Sequence, residues 1–146
     1  GRMRGYYRDA ATTAQVLDAA GWFNTGDMAR QGEDGALEVV GRSKELIIRS
    51  GFNVYPAEVE LALNQLPGVQ RSAVVGRPEK DGNEEVIAFV ELSLGASFDE
   101  TAARARLREQ LAPYKLPSHI VPVAELPTST NGKVLKRQLQ EQAATL

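Results

Sequence analysis

The run Val86-Ile-Ala-Phe-Val-Glu-Leu92 limits the fold of this chain more than any other segment. Its apolar residues are nearly continuous, without the strict alternation of a strand that shows one face to water. Such a run reads as a strand at the centre of a sheet. Val69 to Val75 is a second strand, with Lys80-Asp81-Gly82-Asn83 as the turn between the two, and Ile120 to Val123 is a third. Helical periods lie around these strands. Pro56 suits a first helical position, and Glu58 and Glu60 favour the positive end of the helix it opens. Val59, Ala62, Leu63 and Leu66 fall at i, i+3, i+4 and i+7, so this helix buries one face, and Pro67-Gly68 ends it. Asp99 caps another helix, with Ala103, Leu107 and Leu111 inward, Arg104, Arg106 and Arg108 outward, and Pro113 as its stop. A helical tail runs from Val134 to Ala143. A small hairpin, Glu45 to Ile48 and Phe52 to Val54, turns at Ser50-Gly51.

The first 40 residues carry too little apolar surface to fold alone. Asp9 is the N-cap of a helix over about 10–20, with Val16, Leu17 and Ala20 on one face and Gly21 as its stop. Strands near 27–31 and 36–41 meet across Glu33-Asp34-Gly35. Trp22 is expected to pack into a core. The opening Gly1-Arg-Met-Arg-Gly-Tyr-Tyr-Arg has no start methionine and reads as the middle of a longer polypeptide. The fold class is therefore α+β: a three-stranded main sheet, helices and a small hairpin, preceded by a helix and hairpin of a different unit.

Composition removes several functions. With 17 basic and 19 acidic residues the formal charge is −2, which gives no field for steering onto nucleic acid. The arginines of the 99–113 helix lack interleaved aromatics and read as a solvated face. The absence of cysteine excludes disulfides, zinc–thiolate sites and an enzyme-bound cysteinyl thioester within these residues. No apolar run approaches the roughly 18 residues of a membrane span. No signal peptide is visible, so a cytoplasmic location is expected. The single His119 reads as a surface or hydrogen-bonded histidine.

Three polar residues carry possible chemistry. Lys133 follows the small-residue turn Thr128-Ser-Thr-Asn-Gly132; it is either a solvated lysine or a charge delivered to an active site. Asp27 ends a Thr-Gly-Asp turn. Its carboxylate can accept two hydrogen bonds from a ribose diol, or form an Asx turn into a strand. Arg42 has a planar fork that suits ribose and phosphate oxygens, or a surface ion pair with a nearby Glu.

Five segments in this order resemble the motifs of the adenylate-forming superfamily, which includes acyl-CoA synthetases, aryl-CoA ligases, peptide-synthetase adenylation domains and firefly-type luciferases. They are Met3-Arg-Gly-Tyr-Tyr7, Gly21 to Asp27, Gly41 to Glu60, Pro113-Tyr-Lys-Leu-Pro117, and Leu126 to Arg137. The resemblance implies a two-step reaction. A carboxylate attacks ATP to give an acyl-adenylate and pyrophosphate, and CoA then displaces AMP. It implies that residues 1–41 are the C-terminal remnant of a large adenylating domain and 42–146 a small mobile C-terminal domain. It assigns Lys133 as the adenylation lysine, Asp27 and Arg42 to the nucleotide, and Lys44 to the hinge. Ser50, Gly51 and Phe52 become a loop lining the pantetheine tunnel, and Tyr114 and Lys115 a contact to the CoA nucleotide. ATP, coenzyme A and Mg²⁺ are implied, the metal held mainly by the absent domain, since no metal ligand set is visible in this chain. The implied partners are the N-terminal adenylating domain of the same polypeptide, a small carboxylic acid, and a lysine acetyltransferase or deacetylase acting on Lys133.

Ser50 stands where luciferases and plant coumarate ligases tend to have lysine, and the Val54-Tyr-Pro-Ala-Glu-Val-Glu60 pattern favours a CoA ligase. The expected function is thus part of an acid–CoA ligase, inactive as an isolated piece. An adenylation domain that loads a carrier protein and a stand-alone binding module are the alternatives. The acyl pocket of the family lies outside these residues.

Overall fold

The computed structural model describes residues 1–146, which divide into two compact units, Gly1–Lys44 and Glu45–Leu146. In the second unit, strands β5 (Val69–Pro78) and β6 (Glu84–Leu92) form an antiparallel hairpin, and β7 (His119–Val123) adds in parallel to β6. The sheet order β5-β6-β7 puts the Val86–Leu92 run in the centre, as its composition requires. Successive residues of β6 feed two different cores. Val86, Ala88 and Val90 pack with Val59, Leu63 and Leu107, whereas Ile87 and Phe89 pack with Leu126, Leu139 and Ala143. The first cluster is supplied by α2 (Pro56–Asn64) and α3 (Glu100–Gln110), and the second by α4 (Lys136–Ala143). A strand covered on both faces needs apolar side chains in both directions, so the alternation disappears from its sequence.

Strands β3 (Ile47–Arg49) and β4 (Phe52–Val54) form the small hairpin, with Ile47 and Val54 paired and both buried in the first cluster. Its two turn residues are both left-handed, Ser50 at φ 53° and Gly51 at φ 78°. That geometry matches the twist of a tight two-residue hairpin; glycine adopts it freely and serine at some cost.

The first unit contains α1 (Ala10–Val16) and the antiparallel pair β1 (Asp27–Gln31) and β2 (Leu37–Arg42). None of its residues is buried. Asp9 caps α1 by accepting from Thr12 N at 2.9 Å, and this contact holds the Asp9 carboxyl below its ordinary value.

Four expectations need correction. The helix expected over about 10–20 stops at Val16, because Leu17 turns extended and bridges Phe23. Trp22 is 78% exposed and packs into no core in this chain. The tail helix starts at Lys136, since Val134 is still extended and bridges Thr128. Arg104 is not simply solvated: it pairs with Glu100 and donates to the carbonyls of Pro117 and Ser118 at 2.9 and 3.0 Å, tying α3 to the segment that enters β7.

Candidate functional site

Lys133 sits at the end of a tight reversal between Thr128 and Val134. Ser129 N donates to Lys133 O at 2.8 Å, and Gly132 N donates to Ser129 O at 2.8 Å. Gly132 has φ 77°, the left-handed position that closes a three-residue hairpin loop. Lys133 N donates to the Ser129 hydroxyl at 3.2 Å. The backbone and the Ser129 hydroxyl therefore close the turn on itself. The Lys133 side chain is exposed, and its ammonium pairs with no carboxylate of this chain. It lines a groove of about 580 Å³ together with Glu45, Glu60, Ser72, Lys136 and Gln138.

Both ends of this loop are fastened. At its start, Leu126 N donates to Glu91 Oε2 at 2.8 Å, and Glu91 also pairs with Arg71 at 2.8 Å. Glu91 is the one charged residue of the central run and is buried. The Arg71 hydrogen bond, followed by that of the Leu126 amide, holds its carboxyl below the ordinary value. At the far end, Lys136 Nζ lies 2.6 Å from Glu45 Oε2 and 2.9 Å from Glu60 Oε1. Glu60 Oε1 also accepts from Val74 N at 2.8 Å.

The second group of expected residues converges from two distant segments. Phe52, at the start of β4, stacks on Tyr114 with ring centroids 4.6 Å apart and planes 21° apart. Tyr114 and Lys115 lie in a single 3₁₀ turn, Pro113–Lys115. Arg49 donates to Leu116 O at 2.6 Å and fixes that turn against the hairpin. From the other side, Ile48 N donates to Glu84 Oε2 at 2.8 Å and Ser50 N to Asn83 Oδ1 at 2.7 Å. Ser50, Gly51, Phe52, Tyr114 and Lys115 thus share one surface. Lys115 is not free on it. Its ammonium is held by both oxygens of Glu58 at 2.6 and 2.8 Å, and lies 5.6 Å from the Tyr114 ring centroid.

In the first unit, Asp27 and Arg42 face each other across the β1–β2 register and form an ion pair of 2.8 Å. Asp27 N donates to Thr25 Oγ1, Gly26 N to Asn24 Oδ1, and Ser43 N to Gly26 O at 2.9 Å, so the Thr-Gly-Asp turn is knitted locally. The partner of Arg42 is Asp27 rather than a Glu. Lys44 is exposed, in the 3₁₀ turn Ser43–Glu45, and the division between the two units falls directly after it. No group of three or more His, Cys, Asp or Glu side chains stands together as a metal site would need. No helix is long and apolar enough to cross a membrane.

The residues 58–133 match the family described as AMP-binding enzyme C-terminal domain. The chain belongs to that family. Among curated relatives, the 2-succinylbenzoate–CoA ligase of Geobacillus kaustophilus is 45% identical over 94% of this chain and 28% of its own length. The long-chain-fatty-acid–CoA ligase of Bacillus subtilis is 41% identical over 96% of this chain and 25% of its own length. Among solved structures, ATP-bound MatB from Rhodopseudomonas palustris superimposes with a TM-score of 0.87 at 40% identity, covering 97% of this chain and 28% of that one. This AMP-binding enzyme C-terminal domain, with its adjoining residues, therefore spans about a quarter of the length of the proteins it resembles. The expected α+β architecture is the one observed.

Sequence reasoning did not find Glu45, Glu58, Glu60, Glu91 and Lys136 as partners of the site. Two of them left signals. Glu91 interrupts an otherwise apolar buried run. Lys136 places a cation in the first turn of a helix, where the macrodipole opposes it.

Proposed function

We propose that this chain forms part of an ATP-dependent acid–CoA ligase, which converts a carboxylate, ATP and CoA to acyl-CoA, AMP and pyrophosphate. The observation that carries this reading is the unpaired ammonium of Lys133 on a loop fastened at both ends, in a domain whose relatives bear the names of CoA ligases. In the first step a substrate carboxylate oxygen bonds to the α-phosphorus of ATP and pyrophosphate leaves. Negative charge gathers on the attacking and phosphoryl oxygens, and a preplaced cation stabilises it in a site closed to water. Lys133 supplies that cation. Asp27 accepts from the ribose hydroxyls, and Arg42 holds its carboxylate in place while offering its own donors to nucleotide oxygens.

In the second step the CoA thiolate bonds to the acyl carbon and AMP departs. The Ser50–Phe52 hairpin and the Tyr114–Lys115 turn form the surface along which the thiol arm runs. Lys44 is the pivot between the two orientations that the steps require, with residues 1–41 belonging to the adenylating domain and 42–146 to the mobile one. The acyl pocket and the glycine-rich phosphate loop lie elsewhere in the polypeptide. Mg²⁺ belongs with them, because the acidic side chains here are dispersed or already paired. The reading carries with it a cytoplasmic enzyme whose Lys133 is open to acetylation, which would remove the adenylating charge.

The test is AMP release from ATP by the full polypeptide, with a panel of carboxylates, with and without CoA. CoA-dependent turnover of one acid class is the expected result. Pyrophosphate exchange without CoA-dependent turnover would replace this reading by loading of a carrier protein, and no carboxylate-dependent AMP at all would leave a binding module. Lys44→Pro is expected to slow thioester formation far more than adenylate formation; equal loss of both would remove the pivot role.

A further inference from the structure

Lys136 has no role in the reaction as described, and its placement is electrostatically awkward. It is the first residue of α4, with Arg137 beside it, at the end of a helix that favours anions. An exposed lysine there would turn to solvent. Instead its side chain is only 23% exposed, and its ammonium sits between two carboxylates from different parts of the second unit. Glu45 opens that unit directly after Lys44. Glu60 lies on α2 and also holds the amide of Val74 on β5. One cation thus joins the start of the unit, α2, the main sheet and the end of the Lys133 loop. The path to Lys133 is short and stiff: Leu135 N donates to Pro127 O at 2.8 Å, and Val134 bridges Thr128.

We propose that Lys136 is a positioning residue for Lys133: through Glu60 and Glu45 it fixes where the Lys133 loop stands relative to the sheet and to the start of the unit. This deepens the adenylation reading and rests on it for its kinetic arm. The packing of α4 does not depend on Lys136. Leu139 and Ala143 are fully buried against the sheet and keep the helix in place without it. Loss of the ion pairs therefore loosens the loop more than the domain. Misplacement of a reacting charge by about 1 Å can cost as much as about a hundredfold in rate.

The experiment compares Lys136→Met, Lys136→Arg and Glu60→Gln in the full polypeptide. Glu60→Gln removes the charge while its amide oxygen can still accept from Val74 N. Hydrogen exchange by mass spectrometry is read for peptides covering 127–136 and, as a control, β5 and β6. Adenylate formation and thioester formation from supplied acyl-adenylate are measured in parallel. The expected result is faster exchange confined to 127–136 in Lys136→Met and Glu60→Gln. Adenylation should drop by between about ten- and a hundredfold with little change in KM for ATP, thioester formation should hold, and Lys136→Arg should restore both readouts to within about threefold. Unchanged exchange over 127–136 in Lys136→Met overturns the proposal. So does a loss shared by β5, β6 and both half-reactions, which marks a merely structural ion pair. A wild-type protein without adenylation would remove the ligase reading, and the exchange comparison would then decide the positioning claim alone.

Discussion

Lys133 and Lys115 both project from short turns of the second unit, and their surroundings are opposite. The turn that carries Lys133 closes through its own backbone and the Ser129 hydroxyl and leaves the ammonium without a carboxylate. The turn that carries Lys115 delivers the ammonium to both oxygens of Glu58 and against a ring that is itself stacked on Phe52. A cation already paired has little left to offer a ligand unless the ligand outcompetes its partner. A cation held free on a fastened loop is ready for a charge that comes from outside the chain. The same side chain thus stands in two electrostatic settings, decided by whether an acidic residue lies within reach.

The sharpest way to break this contrast is to remove the free charge. Lys133→Ala is expected to cut adenylate formation by about 10²–10³-fold and to spare thioester formation from supplied acyl-adenylate; retained adenylation would erase the distinction. Next comes the aromatic support on the other side. Phe52→Ala removes a stack worth about 0.5–1.5 kcal/mol beyond its buried area. The melting temperature should fall accordingly, and thioester formation should suffer more than adenylation; a loss confined to adenylation would assign Phe52 to the wrong step. Glu58→Gln tests whether pairing is what quietens Lys115. The released ammonium should improve the KM for CoA by no more than about fivefold, equivalent to about 1 kcal/mol for a partly exposed pair. A worse KM would mean that Glu58 orients Lys115 for binding instead of masking it.

The smallest expected effect concerns the anchor of the Lys133 loop. The Glu91 carboxyl is held below its ordinary value by Arg71 and the Leu126 amide. Its stabilising contribution is complete above the unfolded carboxylate value of about 4.3 and is lost as pH falls through the lower folded value. Glu91→Gln should therefore lower the melting temperature near neutrality and show a shallower decline between about pH 5 and pH 3 than the unmodified chain. Parallel curves would show that Glu91 contributes no charge-dependent stability.

What could be read from sequence divides along a physical line. Turns and faces are local: Ser50-Gly51, the Val59-Ala62-Leu63-Leu66 stripe and the two-sided run of β6 are written in neighbouring residues and appear where their chemistry requires. Asp27 and Arg42 were read separately as nucleotide contacts, and the hairpin register makes them a pair. The ionic links were not legible. Lys136 with Glu45, Lys115 with Glu58, and Glu91 with Arg71 join residues far apart in sequence, and any lysine on the surface looks the same until its partner is placed. Trp22 failed for a related reason. Its size argues for burial, but burial needs a neighbour that these residues do not supply.

The parallel pairing of β6 with β7 has a consequence for how the domain comes into being. β5 and β6 are joined by a short turn and can zip as a hairpin, whereas β7 reaches β6 only after the whole of α3 has been laid across the sheet. The long closure must be made before the pairing rewards it. The order of events should therefore begin with the β5–β6 hairpin docking on α2, and end with β7 and the segment after it. Substitutions at Val74 or Ala88 should slow folding, while those at Ile120 or Leu139 should mainly hasten unfolding, as chevron analysis would show. The turn that carries Lys133 then belongs to the part of the second unit that finds its place last.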